Sequence, residues 1–178
     1  MKKIWLLSAC LVMAVFIGAE STDTLPIGPS RYKFDLVAIG QDEIFETASQ
    51  KKVTIEDIVT KNLRSRLFII GEYHDSLECH TFQRDFIEAL FRHHPKLIVG
   101  FEFFTRQDDE VLEQWRSGTI SEEELLEKTN WYARTSLNYG YTRPITETIR
   151  RHKIKVIGLN IPRKPVHQVS SRGFDSLS

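Results

Sequence analysis

Leu67-Phe68-Ile69-Ile70-Gly71-Glu72-Tyr73-His74 is a continuous apolar run that breaks into a glycine, a carboxylate and an imidazole. Continuous apolarity, rather than alternation, is expected of a parallel strand covered on both faces. Two similar runs follow, Leu97-Ile98-Val99 and Val156-Ile157-Gly158-Leu159. Helical patterns separate them. After the first run, Asp75 and Glu78 stand in capping-box spacing, and Pro95 marks the stop of the helix they open. Further helices are expected over residues 107–116, with Gly118 just past the end, over 121–128, with Ser121 and Glu124 as a capping pair, and over 143–152. Units of this kind cross over right-handed, so the expected class is α/β: an open, mainly parallel sheet with helices on both faces.

Ligands in such sheets sit beyond the carboxyl ends of the strands. Those ends carry Glu72 and His74, then Glu102 after Gly100-Phe101, then Asn160 after Gly158-Leu159. On the helix after the first strand, with His80 set at 0°, Arg84, Glu88, Arg92 and Asp85 fall at about 40–140°, and the apolar residues fill about 180–340°. His80, and Gln83 at about 300°, therefore lie on or beside the buried face, in the turns nearest Glu72 and His74. Glu102, between Phe101 and Phe103-Phe104, reads as a carboxylate with apolar neighbours that needs a partner, a proton or a metal. The expectation is that it lies within hydrogen-bonding reach of His74 or His80. Glu72, His74, His80 and Glu102 are thus the candidate catalytic residues. His74, His80 and Glu102 are the candidate ligands of a divalent metal, which as a hydrolase centre needs an open position for water. Without a metal, a carboxylate–histidine base pair is the alternative. No Gly-rich phosphate loop, HExxH or GxSxG is present.

The outer parts of the chain say where it goes. Lys2-Lys3 precede an uncharged apolar stretch from Ile4 to Gly18, and small residues lead into Glu20-Ser21-Thr22-Asp23. Residues 1–19 read as a signal peptide, too short in its core for a comfortable membrane span. Leu7-Ser8-Ala9-Cys10 also spells a lipobox, so simple secretion, a lipoprotein and an uncleaved anchor all stay open. Cleavage after Ala19 leaves Cys79 as the one cysteine, so the fold rests on its core and not on a disulfide. Residues 20–34 are polar and carry Pro and Gly, as a flexible leader would. Residues 35–178 form the α/β domain, with short strands expected at 35–39 and 44–47 and Thr54 capping a short helix. After Asn160 no apolar period is visible, and the sheet reads as C-terminally incomplete. The 178 residues are 41% hydrophobic, with 24 basic and 24 acidic side chains. Loss of Lys2 and Lys3 leaves 22 against 24, no electrostatic footprint for nucleic acid.

Taken together, Gly71-Glu72-x-His74-Asp75, His80-x-x-Gln83, Glu102-Phe103-Phe104, Trp131, Tyr141-x-Arg143-Pro144 and Asn160-x-Pro162-Arg163 resemble the ChaN family of the Tiki superfamily. The order matches from about Ile44 to Gly173. Two features depart from the family: Cys79-His80 stands where His-His is common, and the family's helical C-terminal part is missing. The resemblance implies an EreA/ChaN-like fold and a periplasmic or membrane-anchored protein that binds haem in iron uptake. It further implies tyrosine ligation, pairing into a homodimer through haem, and an outer-membrane haem receptor as partner. Tyr141 and Tyr139 are then the candidate iron ligands, with Trp131, Gln83 and Asn160 as further cofactor contacts. The superfamily also contains GxxH metalloproteases and hydrolases, which implies the alternative of a peptidase or esterase acting through Glu72, His74 and Glu102. Those enzymes carry a second GxxH element, whereas Gly71 is the one glycine here with a histidine three residues later.

Overall fold

Helix boundaries follow the capping chemistry. In the computed structural model, which describes residues 22–26, 36–40 and 42–177, Thr54 caps α1 (Ile55–Lys61) through a reciprocal capping box with Asp57. Ser76, one residue later than expected, caps α2 (Leu77–His93) by accepting from the Cys79 N–H. Ser121 and Glu124 form the expected box at α4 (Glu122–Lys128). Gly118 closes α3 (Asp109–Ser117) in the left-handed conformation that glycine adopts without steric penalty. A short α5 (Trp131–Arg134) precedes α6 (Tyr139–His152). The latter starts four residues before the expected position because Asn138 caps it through Gly140 N–H.

The chain divides into two compact units, residues 1–52 and 53–178. In the first, β1 (Thr22–Pro26) pairs antiparallel with β2 (Leu36–Gly40), Thr22 opposite Gly40. The first of these strands lies inside the stretch read as a flexible leader, which is corrected to that extent. β3 (Ile44–Glu46) pairs with β4 (Lys51–Val53). The signal-peptide reading, residues 1–19, falls outside the described residues.

In the second unit β5 (Ile98–Thr105) and β6 (Lys155–Asn160) form a parallel pair, Ile98 opposite Lys155 and Phe101 opposite Gly158. The register then shifts, so that Thr105 faces Asn160. Side chains of Phe101, Phe104 and Val156 join Trp115, Trp131, Tyr139, Ile145 and Ile149 in the main core. A second cluster packs Val59 against Phe86, Ala89 and Leu90 of α2. α2 is tied to α6 by Glu88, which meets Arg151 at 2.8 Å and His152 at 2.7 Å.

Residues 67–73 differ from the expected first strand. They are extended but form no strand ladder among the described residues. Phe68 lies on Phe86, 5.5 Å between ring centres, in the cluster that also takes Leu97. His74 reaches Phe103 at 5.0 Å. The segment therefore runs parallel to β5, where a neighbouring strand would run. Its even-numbered residues face α2, whereas Leu67 is 74% and Ile69 86% exposed. Ile98 and Leu159 are exposed on the pair as well. The α/β class stands. The residues after Asn160, read as aperiodic, form α7 (Arg163–Arg172) and a 3-10 turn (Phe174–Leu177), both without a buried residue. An amphipathic pattern has no core to mark it there.

Glycine at 158 is where β6 meets β5 most closely. A β-carbon there would fall 2.1 Å from the Thr105 carbonyl oxygen, whereas one at Gly71 meets nothing within 4 Å. Gly158→Ala is expected to destabilise by about 1–3 kcal/mol or more, because backbone must move. Gly71→Ala is expected to stay within about 0.5 kcal/mol. Urea midpoints at unchanged slope measure both, and equal midpoints for the two variants contradict the close approach.

Candidate functional site

The first turn of α2 fixes one half of the site. The Ser76 carbonyl accepts from both the backbone N–H and the ring Nδ1–H of His80, the latter at 2.6 Å. A carbonyl cannot donate, so Nδ1 carries the proton and Nε2 is the free nitrogen. Nε2 is buried without a hydrogen bond and lies 3.5 Å from Glu72 Oε2. The other Glu72 oxygen accepts from His74 Nδ1 at 2.8 Å. Glu72 is thus nearly buried between a fully buried and a half-exposed histidine. Tyr141 stacks on the far side of His80, 6.3 Å between rings and 27° from parallel.

The carboxyl ends of β5 and β6 supply the other half. A cleft of about 600 Å³, inside the usual range for small-molecule sites, is lined by His74 and by Glu102, Phe103 and Thr105 of β5. Arg134, the last residue of α5, Thr135 to Leu137 after it, Asn160 at the end of β6 and Ile161 to Arg163 complete the lining. His74, Glu102 and Asn160, taken from three separate strand ends, do meet at this one opening. Asn160 accepts from the Ile161 N–H at 2.9 Å, which shapes the turn out of β6.

Other expected contacts do not form. Glu102 is exposed and has no hydrogen bond or ion pair to a described residue, so its expected pairing with His74 or His80 is corrected: the carboxylate between the histidines is that of Glu72. The reason is the period of two along a strand. Phe101 and Phe103 point into the core, and Glu102 between them must point out. The expected metal ligands His74, His80 and Glu102 are therefore not assembled, and among the described residues no three His, Cys, Asp or Glu are placed to hold a metal ion. Gln83 is half-buried and makes no hydrogen bond to a described residue.

The aromatic candidates divide as well. Trp131 is 1% exposed, donates Nε1–H to the Leu137 carbonyl and packs edge-on against Tyr139, so it is a core residue and not a ligand surface. Tyr139 is fully buried. Thr146 gives its hydroxyl hydrogen to the Arg143 carbonyl, so the Tyr139 phenol is the donor in their 2.6 Å bond. Burial pushes this phenol well above the ordinary tyrosine range, with the Thr146 bond opposing weakly, so Tyr139 is corrected from candidate iron ligand to core. Tyr141 sits two residues on, about 200° around α6, and so escapes the core.

Asp108 and Arg134 carry weight that a reading of single motifs passes over. Asp108 accepts from Thr105 N–H at 2.7 Å, from the Thr105 hydroxyl and from Arg134 Nη1, both at 2.8 Å. The Thr-x-x-Asp capping spacing at 105–108 is a legible signal for the first. Nothing local marks Arg134, whose partner lies 26 residues away.

Tyr139 yields a pH test. Its folded-state value is raised, so the folded protein holds the proton more tightly than the unfolded chain does. Stability is unaffected below the ordinary value of 10.0 and falls as pH rises above it, by up to about 1.4 kcal/mol per pH unit. Tyr139→Phe should cost about 0.5–1.5 kcal/mol at neutral pH through the lost hydrogen bond, and the deficit should shrink above pH 10.0. Denaturant melts across that window check it; a deficit that stays constant contradicts the burial of the phenol.

Comparison with known proteins bears on the family and the fold. No curated protein matches the sequence. A solved structure, described as cofacial heme binding to ChaN of Campylobacter jejuni, superposes with a TM-score of 0.62 at 21% identity. The match covers 73% of this chain and 52% of that one, so the chain spans about half the length of that solved relative. Residues 58–178 match the family described as haem-binding uptake, Tiki superfamily, ChaN. That span is more than half of the chain and contains both halves of the site, and the chain therefore belongs to the ChaN family of the Tiki superfamily.

Proposed function

We propose that this protein is exported and binds haem in the cell envelope, in the service of haem or iron uptake. The observation that carries the reading is that the family match, residues 58–178, contains every residue that lines the cleft. A haem site needs apolar cover for the porphyrin and a donor for the iron. Phe103, Leu137 and Ile161 supply cover in the cleft. Of the two tyrosines, Tyr141 is the one whose hydroxyl is not committed to a described residue, and it is the proposed iron donor. His74 is the second donor: it lines the cleft, and its Nδ1 is held by Glu72, which leaves Nε2 for a metal in the way ligating histidines are commonly braced. Export rests on the basic and apolar pattern of residues 1–19. Pairing of two subunits through bound haem, and exchange of haem with an outer-membrane receptor, belong to the same reading.

One observation favours a second reading. The Glu72–His74 contact is a carboxylate–histidine pair at the mouth of a cleft, as a metal-free hydrolase of the wider superfamily would use for general-base catalysis. An esterase and peptidase screen on the protein used for haem titration tests it, and Glu72→Gln should abolish any activity found.

Titration with haem, followed by absorbance, should show saturable binding with a tyrosinate-type spectrum that is lost in Tyr141→Phe. If His74 is the donor instead, the spectrum is of the imidazole type, His74→Ala removes it, and Glu72→Gln weakens binding by about 10–100-fold. Saturable binding unchanged in both Tyr141→Phe and His74→Ala would remove both donors, and no binding by the wild type would remove the function.

A further inference from the structure

We propose that Arg134 and Arg163 form a carboxylate-recognition subsite in the cleft, and that it selects haem by its propionate groups; the inference rests on the haem reading above. Arg134 is anchored at one end only. Its Nη1 donates to Asp108, whose acceptor oxygen also takes two donors from Thr105. Its Nε is buried without a hydrogen-bond partner, on a residue that lines the cleft. The Nε–Nη2 edge is therefore the free one, and that edge is the fork a carboxylate meets with two parallel hydrogen bonds.

Arg163 lines the same cleft. It donates Nη2 to the Arg134 carbonyl and forms no ion pair with a described residue. Two arginines thus line the cleft, joined through the Arg134 backbone carbonyl, and only Arg134 is paired with a carboxylate, that of Asp108, whose Oδ2 already takes three donors. An unpartnered buried N–H on a charged group is costly to leave unmet, and an entering carboxylate meets it. Glu102, which also lines the cleft and forms no ion pair with a described residue, opposes a second anion beside it, so the anionic end of a ligand is directed toward Arg134 and Arg163. Phe103, Leu137 and Ile161 leave apolar cover for the remainder. An apolar body with carboxylates at one edge is the shape this lining fits, and haem with its two propionates is such a molecule.

The test compares haem with haem dimethyl ester, which keeps the porphyrin and iron and removes both charges. Wild-type protein should bind haem about tenfold or more tightly than the ester, one charge-assisted pair being worth at least that. Arg163→Ala should erase most of this preference by weakening haem alone, with the ester unaffected. Arg163→Lys should retain part of it. Arg134→Lys keeps the ion pair to Asp108 but loses the fork, and should lower the preference with little change in thermal stability. Equal affinity of the wild type for haem and ester overturns the subsite while the haem reading stands, and so does a full preference persisting in Arg163→Ala. Binding of neither porphyrin removes the haem reading and this inference with it.

Discussion

Along β5 side chains alternate in direction from Ile98 to Phe103, until the register shift that leaves both Phe104 and Thr105 buried, and most of the second unit depends on that constraint. Phe101 and Phe103 point toward α2 and α6, where they meet Ile87, Trp131 and Ile149 in the main core. Glu102 and Ile98 are turned the other way and stay exposed. β6 obeys the same rule, with Val156 buried and Leu159 exposed. The extended residues 67–73 continue it, with Phe68 and Ile70 on α2 and Leu67 and Ile69 open. One physical period thus divides the unit into a packed face and an apolar face that is open among the described residues.

The site inherits this division. Core aromatics are consumed by packing: Trp131 lies against Phe103, Phe104 and Tyr139, with ring centres 5.3–5.6 Å apart. Such contacts supply rigidity, not a ligand surface. The groups left for chemistry are those the core cannot absorb, at the strand ends and in the first turn of α2. Glu72 is the hinge of that set because it lies between two histidines, hydrogen-bonded to His74, which is open to the cleft, and 3.5 Å from Nε2 of His80, which the helix backbone fixes. Asp108 joins two segments as well, because Thr105 at the end of β5 and Arg134 at the end of α5 share its carboxylate.

The cleft carries charges of both signs. Glu102 lines it, as do Arg134 and Arg163, and Glu72 stands behind His74. A ligand entering between them is oriented before any donor reaches a metal, and inside a partly enclosed cleft such orientation is stronger than on an open surface. The haem reading proposed above rests on the family match of residues 58–178, and the proposed carboxylate subsite on Arg134 and Arg163.

Much of this was legible in the residues themselves. Thr54, Gly118 and Ser121 announce helix ends because capping is a local hydrogen-bond problem that a few neighbouring residues solve. The buried stripe of α2, with His80 inside it, follows from the helical period alone. Glu72, His74, Glu102 and Asn160 were read as a set because strand ends converge in α/β sheets, and His74, Glu102 and Asn160 line one cleft. Tertiary structure decided the rest. Which of two carboxylates meets the histidines depends on which way each strand position faces. Sequence neighbours Phe101 and Phe103 made Glu102 look buried when they lie on the opposite face. Whether Tyr139 or Tyr141 is available depends on where α6 begins and which of its sides the core takes. Arg134 acquires its role from an aspartate 26 residues earlier. Capping and periodicity act within a turn or two of the chain, so sequence determines them directly; pairing, burial and charge partners are set between segments far apart in the chain, and only folding brings those together.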